Sequence, residues 1–396
     1  MKLTFVTPWY GPDIPGGAEA EARRTIAHLQ QAGYDIEVLT TCIRDFHAPW
    51  DKNHHTPGET LVDGIPVHRF PVEARDKAAF DAVNWQLMQG KRVTPAAEQT
   101  YINEMLRSPA LWQAIKERDD SLFFFIPYMF ATTYHGAQIH PARSAIIPCL
   151  HDEAYAYMGI YKQVLPQVNT LILHVPSEKA LADRILGTAV SQQRPVIGEG
   201  VDADFTFDAD RFRQKYNLHE PFVLYAGRRD AGKNVPLLLD YWGRYAQRSQ
   251  TKAKLVLIGS GHIALAPEVA PHVVDLGFVP IQDKYDAFAA ATIFCLPSLN
   301  ESFSLVTMEA WLTETPVLVH GRCAVTRDHC QRSNGGLYFS NYPEFAGTLD
   351  YLFSHPDSAR QMGRNGRAYV LANYQWPFIM AKYAEIIERM KKEANG

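Results

Sequence analysis

No apolar run in this chain approaches the roughly 20 residues that a membrane-spanning helix needs. Positive charge is not in surplus either. The formal net charge is −4; residues 1–200 carry 18 Lys and Arg against 22 Asp and Glu, and residues 201–396 carry 21 of each. With neither half basic, general nucleic-acid binding and permanent adhesion to an anionic membrane are not expected, and membrane contact is at most peripheral. Cysteine is scarce, with five scattered residues. Cys42, Cys149 and Cys295 lie in or beside apolar strand-like runs, where a thiol acts as a small hydrophobe. Cys323 and Cys330, with His329 adjacent, have poor zinc-ligand spacing, so no metal site is expected. A third absence concerns glycine patterns. Neither Gly16-Gly17 nor Gly259-Ser260-Gly261 completes G-x-G-x-x-G, which disfavours a nicotinamide or flavin enzyme. Met1 to Val6 begins a strand, and Pro8 arrives before any long apolar stretch, so no signal peptide is expected. These absences describe a reduced, soluble, cytoplasmic protein.

What is present is an ordered α/β pattern. At 396 residues the chain is too long for one hydrophobic core, so two domains are expected. Leu3–Thr7 reads as a strand, Tyr10 to Gly17 as a glycine- and proline-rich turn, Ala18 to Ala32 as a helix and Ile36–Thr41 as the next strand. That order is a βαβ unit and predicts a parallel sheet. Further strands are expected at Val67–Phe70, Leu122–Ile126, Ala145–Cys149 and Thr170–His174. Residues 76–118 interrupt the rhythm with helix-compatible sequence carrying Phe80, Trp85, Trp112 and Ile115, an extra helical layer over the sheet. Residues 198–210 read as a linker. Alternation restarts with a strand at Val223–Ala226, a helix at Pro236–Ala246 and a strand at Leu255–Ile258. A helix at Ile281–Ala290, a strand at Thr292–Leu296, a helix at Ser304–Thr313 and a strand at Val317–Val319 follow. Two such domains, 1–200 and 201–376, would face a central cleft where ligands sit at strand carboxyl ends. A last helix runs from Trp376 to Lys392.

Glu301 and Glu309 carry the most information. The strand ending at Leu296 gives way to Pro297-Ser298, a polar turn holds Glu301, and Glu309 sits about one turn into the following helix. Two carboxylates beside the N–H groups of a helix start suit a polyhydroxylated ligand with phosphates. Upstream, the strand through Tyr225-Ala226 runs into Gly227-Arg228-Arg229-Asp230-Ala231-Gly232-Lys233, a loop whose cations could neutralise a diphosphate without a metal. It lacks the glycine spacing and the Lys-Ser/Thr pair of a Walker loop, and alone it reads equally as a solvated basic turn. Gly16-Gly17 permits close backbone approach at a helix start. His151 follows the strand at 145–150, a position that favours a cleft-facing side chain, though a lone histidine is more often structural. Asp202, Asp204, Asp208 and Asp210 read as turn-forming and surface acids, and Ser177 as a helix N-cap.

Taken in order, these segments resemble glycosyltransferase family 4, a family of retaining enzymes with the GT-B fold. The resemblance rests on Gly16-Gly17, His151, Gly200-Val201-Asp202, Gly227-Arg228 with Lys233, and Pro297-Ser298 with Glu301 and Glu309-Ala310. Pro316-Val317 and Asn334-Gly335-Gly336-Leu337 complete it. It covers nearly the whole chain, most clearly from Val223 to Tyr338 and least across residues 75–120. The resemblance implies two Rossmann-like domains facing a cleft, with the helix of residues 377–396 crossing back onto the first. It implies that Arg228 and Lys233 bind the diphosphate of a nucleoside diphosphate sugar and that Glu301 holds sugar hydroxyls, with Ser302 beside it in the same turn. Amides around Phe303, Ser304 and Leu305 would help, Glu309 would take the ribose hydroxyls, and His151 would contact the donor sugar near the reacting carbon. Gly16 and Gly17 would let the acceptor or phosphate approach. Three positions depart from the family pattern. Glu314 and Ser304 stand where glycine is usual, and Arg229 stands where a hydrophobic residue is frequent.

The chemistry so implied is metal-independent transfer of a sugar, with retained configuration, to a glycan, lipid-linked or small-molecule acceptor. The donor is a co-substrate, and no other cofactor is expected. A nucleotide-sugar epimerase or hydrolase of the same fold, or a catalytically silent subunit, is the alternative. The donor base is set by backbone and shape near Gly259, Phe278 and Val279, which leave uridine, guanosine and adenosine open.

Overall fold

The computed structural model describes residues 1–188, 192–230, 232–249 and 252–395. The chain divides into two compact units, Met1–Gly200 with Trp376–Gly396, and Val201–Gln375.

The first unit is built on seven strands: β1 (Leu3–Val6), β2 (Ile36–Thr41), β3 (Gly58–Val62), β4 (Ile65–Phe70), β5 (Leu122–Phe125), β6 (Ser144–Ile146) and β7 (Thr170–Leu171). Their order is β3-β4-β2-β1-β5-β6-β7, and every pairing is parallel except β3 with β4. The parallel strands β1, β2, β5 and β6 are buried along their length, as strands covered on both faces must be. The β3–β4 hairpin is absent from the sequence expectation, although Asp63-Gly64 signals it: both residues take positive φ, as a two-residue hairpin turn requires.

The interruption at 76–118 is three helices, Lys77–Met88, Pro95–Asn103 and Pro109–Lys116. Asp76 and Thr94 cap the first two by accepting from Ala79 N and Ala97 N. Phe80, Tyr101, Leu111 and Ile115 join the core, whereas Trp85 faces solvent. The terminal helix Trp376–Asn395 packs on this unit. Trp376 stacks on His28 at 3.9 Å, Lys382 donates to Ile197 O at 2.9 Å, and Arg389 donates to Thr170 Oγ1 at 2.6 Å. One local expectation is corrected. Ser177 is not an N-cap, because the helix opens at Pro176 with Val175 in the cap position, and Ser177 Oγ is shielded without a partner among the described residues.

A buried polar cluster ties the strand ends of this unit to its first helix, Gly17–Gln31. His174 Nε2 meets Glu21 Oε1 at 2.5 Å and its Nδ1 meets Glu178 Oε2 at 3.2 Å. Glu178 also accepts from Leu150 N at 2.7 Å and His174 N at 2.6 Å, and Arg24 pairs with Glu199. Burial works against the charge on His174, but Glu21 and Glu178 outweigh it and hold the imidazole well above its usual value. Burial, with Glu21, pushes the Glu199 carboxyl up to about 8, against the pull of Arg24 and His174.

The second unit carries β8 (Phe222–Ala226), β9 (Lys254–Ile258), β10 (Val273–Gly277), β11 (Ile293–Leu296), β12 (Val317–His320) and β13 (Gly336–Phe339). All are parallel, in the order β10-β9-β8-β11-β12-β13. This is the doubly wound order in which strand succession reverses between β8 and β11, leaving a crevice at the carboxyl ends. Inside the stretch expected as linker, Asp208 caps the helix Ala209–Tyr216 by accepting from Asp210 N and Arg211 N.

Ser304 and Glu314, the two positions where the resemblance leads one to expect glycine, both adopt left-handed backbone, with φ of 75° and 63°. That conformation is costly for any residue with a Cβ.

Two stability predictions follow from these features. Between about 4.5 and about 8 the folded protein keeps a proton on Glu199 that the unfolded chain releases, and above 6.5 it likewise keeps one on His174. Stability therefore falls as pH rises through this window, by at most about 1.4 kcal/mol per pH unit for each proton. Urea midpoints measured from pH 5 to 8 should decline, and the decline should be shallower in Glu199→Gln; a flat wild-type profile would refute the buried proton. Glu314→Gly should raise stability by a few tenths to about 1 kcal/mol, since relief of the left-handed strain exceeds the added freedom of the unfolded chain. A lowered urea midpoint in that variant would contradict this.

Candidate active site

The carboxyl ends of β8, β9 and β10 interlock through their backbones. Gly227 N donates to Ile258 O at 3.0 Å, Arg229 N to Ser260 O at 2.8 Å, and Gly259 N to Gly277 O at 2.8 Å. Gly259 has φ 128°, and a Cβ there would stand 2.0 Å from Gly227 O, so no other residue fits. The two arginines of the loop divide. Arg229 is buried, held by Asp275 and Gly261 O. Arg228 is half exposed, with Asp230 Oδ2 3.4 Å from its Nε. Tyr225 anchors the backbone between them, its hydroxyl donating to Arg228 O at 2.5 Å. Burial, then the Glu301 and Asp230 carboxylates, push the Tyr225 phenol far up, so it stays a donor.

Across the crevice the loop after β11 is tied to the loop after β8. Asn234 Nδ2 donates to Pro297 O at 3.0 Å, and Lys233 Nζ meets Glu301 Oε1 at 2.8 Å. Lys233 N in turn donates to Asp230 Oδ1 at 2.9 Å, which shapes the turn. The following helix runs Leu305–Leu312, with Ser304 outside it as a left-handed cap and its Oγ 2.9 Å from Thr307 Oγ1. Leu305 and Val306 place their amides at the open first turn, where the helix dipole favours an anion. Glu309 meets Lys284 Nζ at 2.7 Å through Oε1, while its Oε2 is shielded and has no partner among the described residues.

The structure thus brings Lys233 onto Glu301, which spacing did not indicate. Arg228 contacts neither glutamate. Phe303 is buried against Tyr374, so only its backbone is available to a ligand. Val279 likewise turns inward, whereas Phe278 is 83% exposed beside it. Ser302 is partly buried in the same turn as Glu301. In the first unit, the space that the absent Cβ leaves at Gly16 is taken by the Glu19 carboxylate, whose other contact is Trp9 Nε1 at 2.7 Å; Gly17 is open. His151 has Nδ1 3.4 Å from Glu153 Oε1 and a shielded Nε2 without a partner among the described residues. Sequence reasoning missed Lys284, Tyr225 and Asn234. Only Asn234 left a signal, as an asparagine just before a helix. Among the described residues the one His/Cys/Asp/Glu grouping close enough to share an ion is Glu21, Cys149 and His174, in the first unit, where Glu21 and His174 already pair with each other. A cavity of about 620 Å³ beside the helix Val235–Ser249 contains none of the site residues. No helix is long and apolar enough to cross a membrane, among the described residues.

Residues 206–369 match the family described as Glycosyl transferases group 1, a segment that includes Arg228, Lys233, Glu301 and Glu309. The D-inositol 3-phosphate glycosyltransferase of Nocardia farcinica is 27% identical over 398 residues, covering 92% of this chain and 83% of its own. In structure, the sucrose-phosphate synthase of Thermosynechococcus elongatus matches with a TM-score of 0.71 at 17% identity, covering 99% of both chains. HepE of Anabaena, in complex with UDP and glucose, matches with 0.67 at 15% identity, covering 98% of this chain and all of its own. The matched segment is that of a glycosyltransferase, and the fold is GT-B. The chemistry is glycosyl transfer from a nucleotide sugar.

The contrast between the two arginines is measurable. Arg229→Met leaves Asp275 without its buried partner and should cost about 3 kcal/mol, whereas Arg228→Met should cost no more than about 0.5 kcal/mol. Urea unfolding of the two variants checks this, and equal costs would show that the assignment of structural and free arginine is wrong.

Proposed function

We propose that the protein is a retaining, family 4 glycosyltransferase that moves a sugar from a nucleoside diphosphate sugar to an acceptor hydroxyl in the biosynthesis of a glycan or glycoconjugate. The observation that carries the reading is the Lys233–Glu301 pair joining the loops after β8 and β11, at the reversal of strand order. It sets a cation for the diphosphate directly against a carboxylate for sugar hydroxyls. Arg228, half exposed and weakly engaged, is the second cation for the diphosphate. Amides at the start of the helix Leu305–Leu312 supply partial positive charge to phosphate or sugar. Glu309, through its empty Oε2, takes the ribose hydroxyls. His151, whose Nε2 has no partner among the described residues, is the contact for the donor sugar near its reacting carbon, and the Gly16-Gly17 turn is where acceptor or phosphate approaches.

In the reaction the bond from C1 of the sugar to the diphosphate oxygen breaks while the bond from C1 to the acceptor oxygen forms on the same face. The electron pair of the broken bond stays with the diphosphate, whose oxygen takes the acceptor proton. Preorganised cations stabilise the developing negative charge, so no metal is required in this scheme. The acceptor is a glycan, a lipid-linked intermediate or a small metabolite.

Steady-state kinetics with a cognate donor should show Glu301→Ala lowering kcat/KM by about 100-fold or more. Glu309→Ala should lower it by about tenfold, chiefly through the donor KM. Near wild-type rates in Glu301→Ala would sink the assignment. The anomeric configuration of the product, read by NMR, should match that of the donor, and an inverted product would remove the retaining mechanism. Donor consumption without acceptor dependence would indicate hydrolysis or epimerisation instead.

A further inference from the structure

Lys284 lies outside the loops that carry the other charged groups, on the helix Ile281–Ala290. The acids beside it on that helix face elsewhere. Asp283 takes Lys215 at 2.6 Å and Tyr216 at 2.5 Å, and Asp286 takes Arg211 and Asp208 N. Lys284 instead reaches the helix Leu305–Leu312 and holds Glu309 Oε1 at 2.7 Å. Both side chains are mostly shielded, at 24% and 15% exposure. The lysine rests over the Tyr285 ring at 5.1 Å, and Tyr285 is stacked on Phe205 at 3.9 Å, so the ammonium is supported from behind. Glu309 Oε2, meanwhile, has no partner among the described residues, although a carboxylate oxygen can accept two hydrogen bonds. A shielded acceptor left empty is unfavourable unless a ligand fills it.

We propose that Lys284 is a positioning residue for nucleotide recognition. By holding Oε1 it fixes the plane of the Glu309 carboxylate and presents Oε2 to the vicinal 2′- and 3′-hydroxyls of the donor ribose. This rests on the reading of Glu309 as the ribose contact. Selection of ribonucleotides over 2′-deoxyribonucleotides then depends on a lysine that acts through the glutamate. An ion pair that merely joined the two helices would leave that selection unchanged.

Calorimetric titration of the full chain with UDP, GDP and ADP identifies the tightest of the three, which is then compared with its 2′-deoxy form. Wild type should prefer the ribonucleotide about tenfold, or about 1.4 kcal/mol. Lys284→Met should reduce the preference to about twofold by weakening the ribonucleotide alone, and Lys284→Arg should restore most of it. Because the preference is a ratio within one variant, partial loss of stability does not obscure it. A Lys284→Met protein that keeps the full preference, or that loses both nucleotides equally, overturns the role of Lys284. Wild type and Glu309→Gln binding both nucleotides alike overturns the reading of Glu309 beneath it. No binding of any of the three by wild type overturns nucleotide binding at this site.

Discussion

A single topological constraint organises the second unit: strand succession reverses between β8 and β11, so the loops leaving their carboxyl ends run to opposite sides. Strand-to-strand hydrogen bonding cannot close that gap, and side chains do so instead. The ammonium–carboxylate pair of Lys233 and Glu301 spans it, seconded by the Asn234 amide on Pro297 O. A charge pair here differs from one on an open surface. Both groups are largely shielded, at 27% and 10% exposure, so each would be left short of compensation without the other. A polyanionic ligand entering the crevice meets a cation already placed by its partner, which reduces the reorganisation that binding requires.

Charged residues in these loops divide between holding the structure and remaining available. Arg229 is consumed by Asp275 and the Gly261 carbonyl, which pins the turn after β9 against the loop after β8. Arg228, its neighbour in sequence, keeps a half-exposed guanidinium. The two glutamates follow a related pattern, each with Oε1 on a lysine. A carboxylate so tethered has a defined orientation. A free one would sample many, and part of the binding energy would go into ordering it.

The first unit uses buried charge differently. Glu21, His174 and Glu178 form a chain that joins the first helix to the segments after β6 and β7, and each member is deeply buried. Burying three ionisable groups is tolerable because each is paired and because Glu178 also satisfies two backbone amides. The cluster holds together strand ends too short to be secured by pairing alone, β7 being two residues long.

Much of the architecture was legible from local sequence. Alternating apolar strands and amphipathic helices specify parallel α/β units, because strands buried on both faces must be apolar along their length, and that pattern survives without knowledge of partners. The hairpin of β3 and β4 escaped notice because its strand β3 is exposed and carries no apolar run. Ser304 and Glu314 read as departures from a glycine pattern, and the left-handed backbone at both gives the reason glycine is usual there. Arg228, Lys233 and Glu301 stood out as residue types in loops after strands, and Glu309 as an acid early in the next helix. Which cation meets which acid was not legible, since Lys233 reaches Glu301 across 68 positions and Lys284 reaches Glu309 from another helix. Residue type alone does not separate Arg228 from Arg229; only the resemblance singled out Arg228. Residue identity and hydrophobic period are local properties, and by themselves they determined the class of fold and the stock of chemical groups. Pairing of charges depends on distances that exist only once the sheet order is set, so the tertiary structure alone decided which of those groups are occupied and which remain open to a ligand.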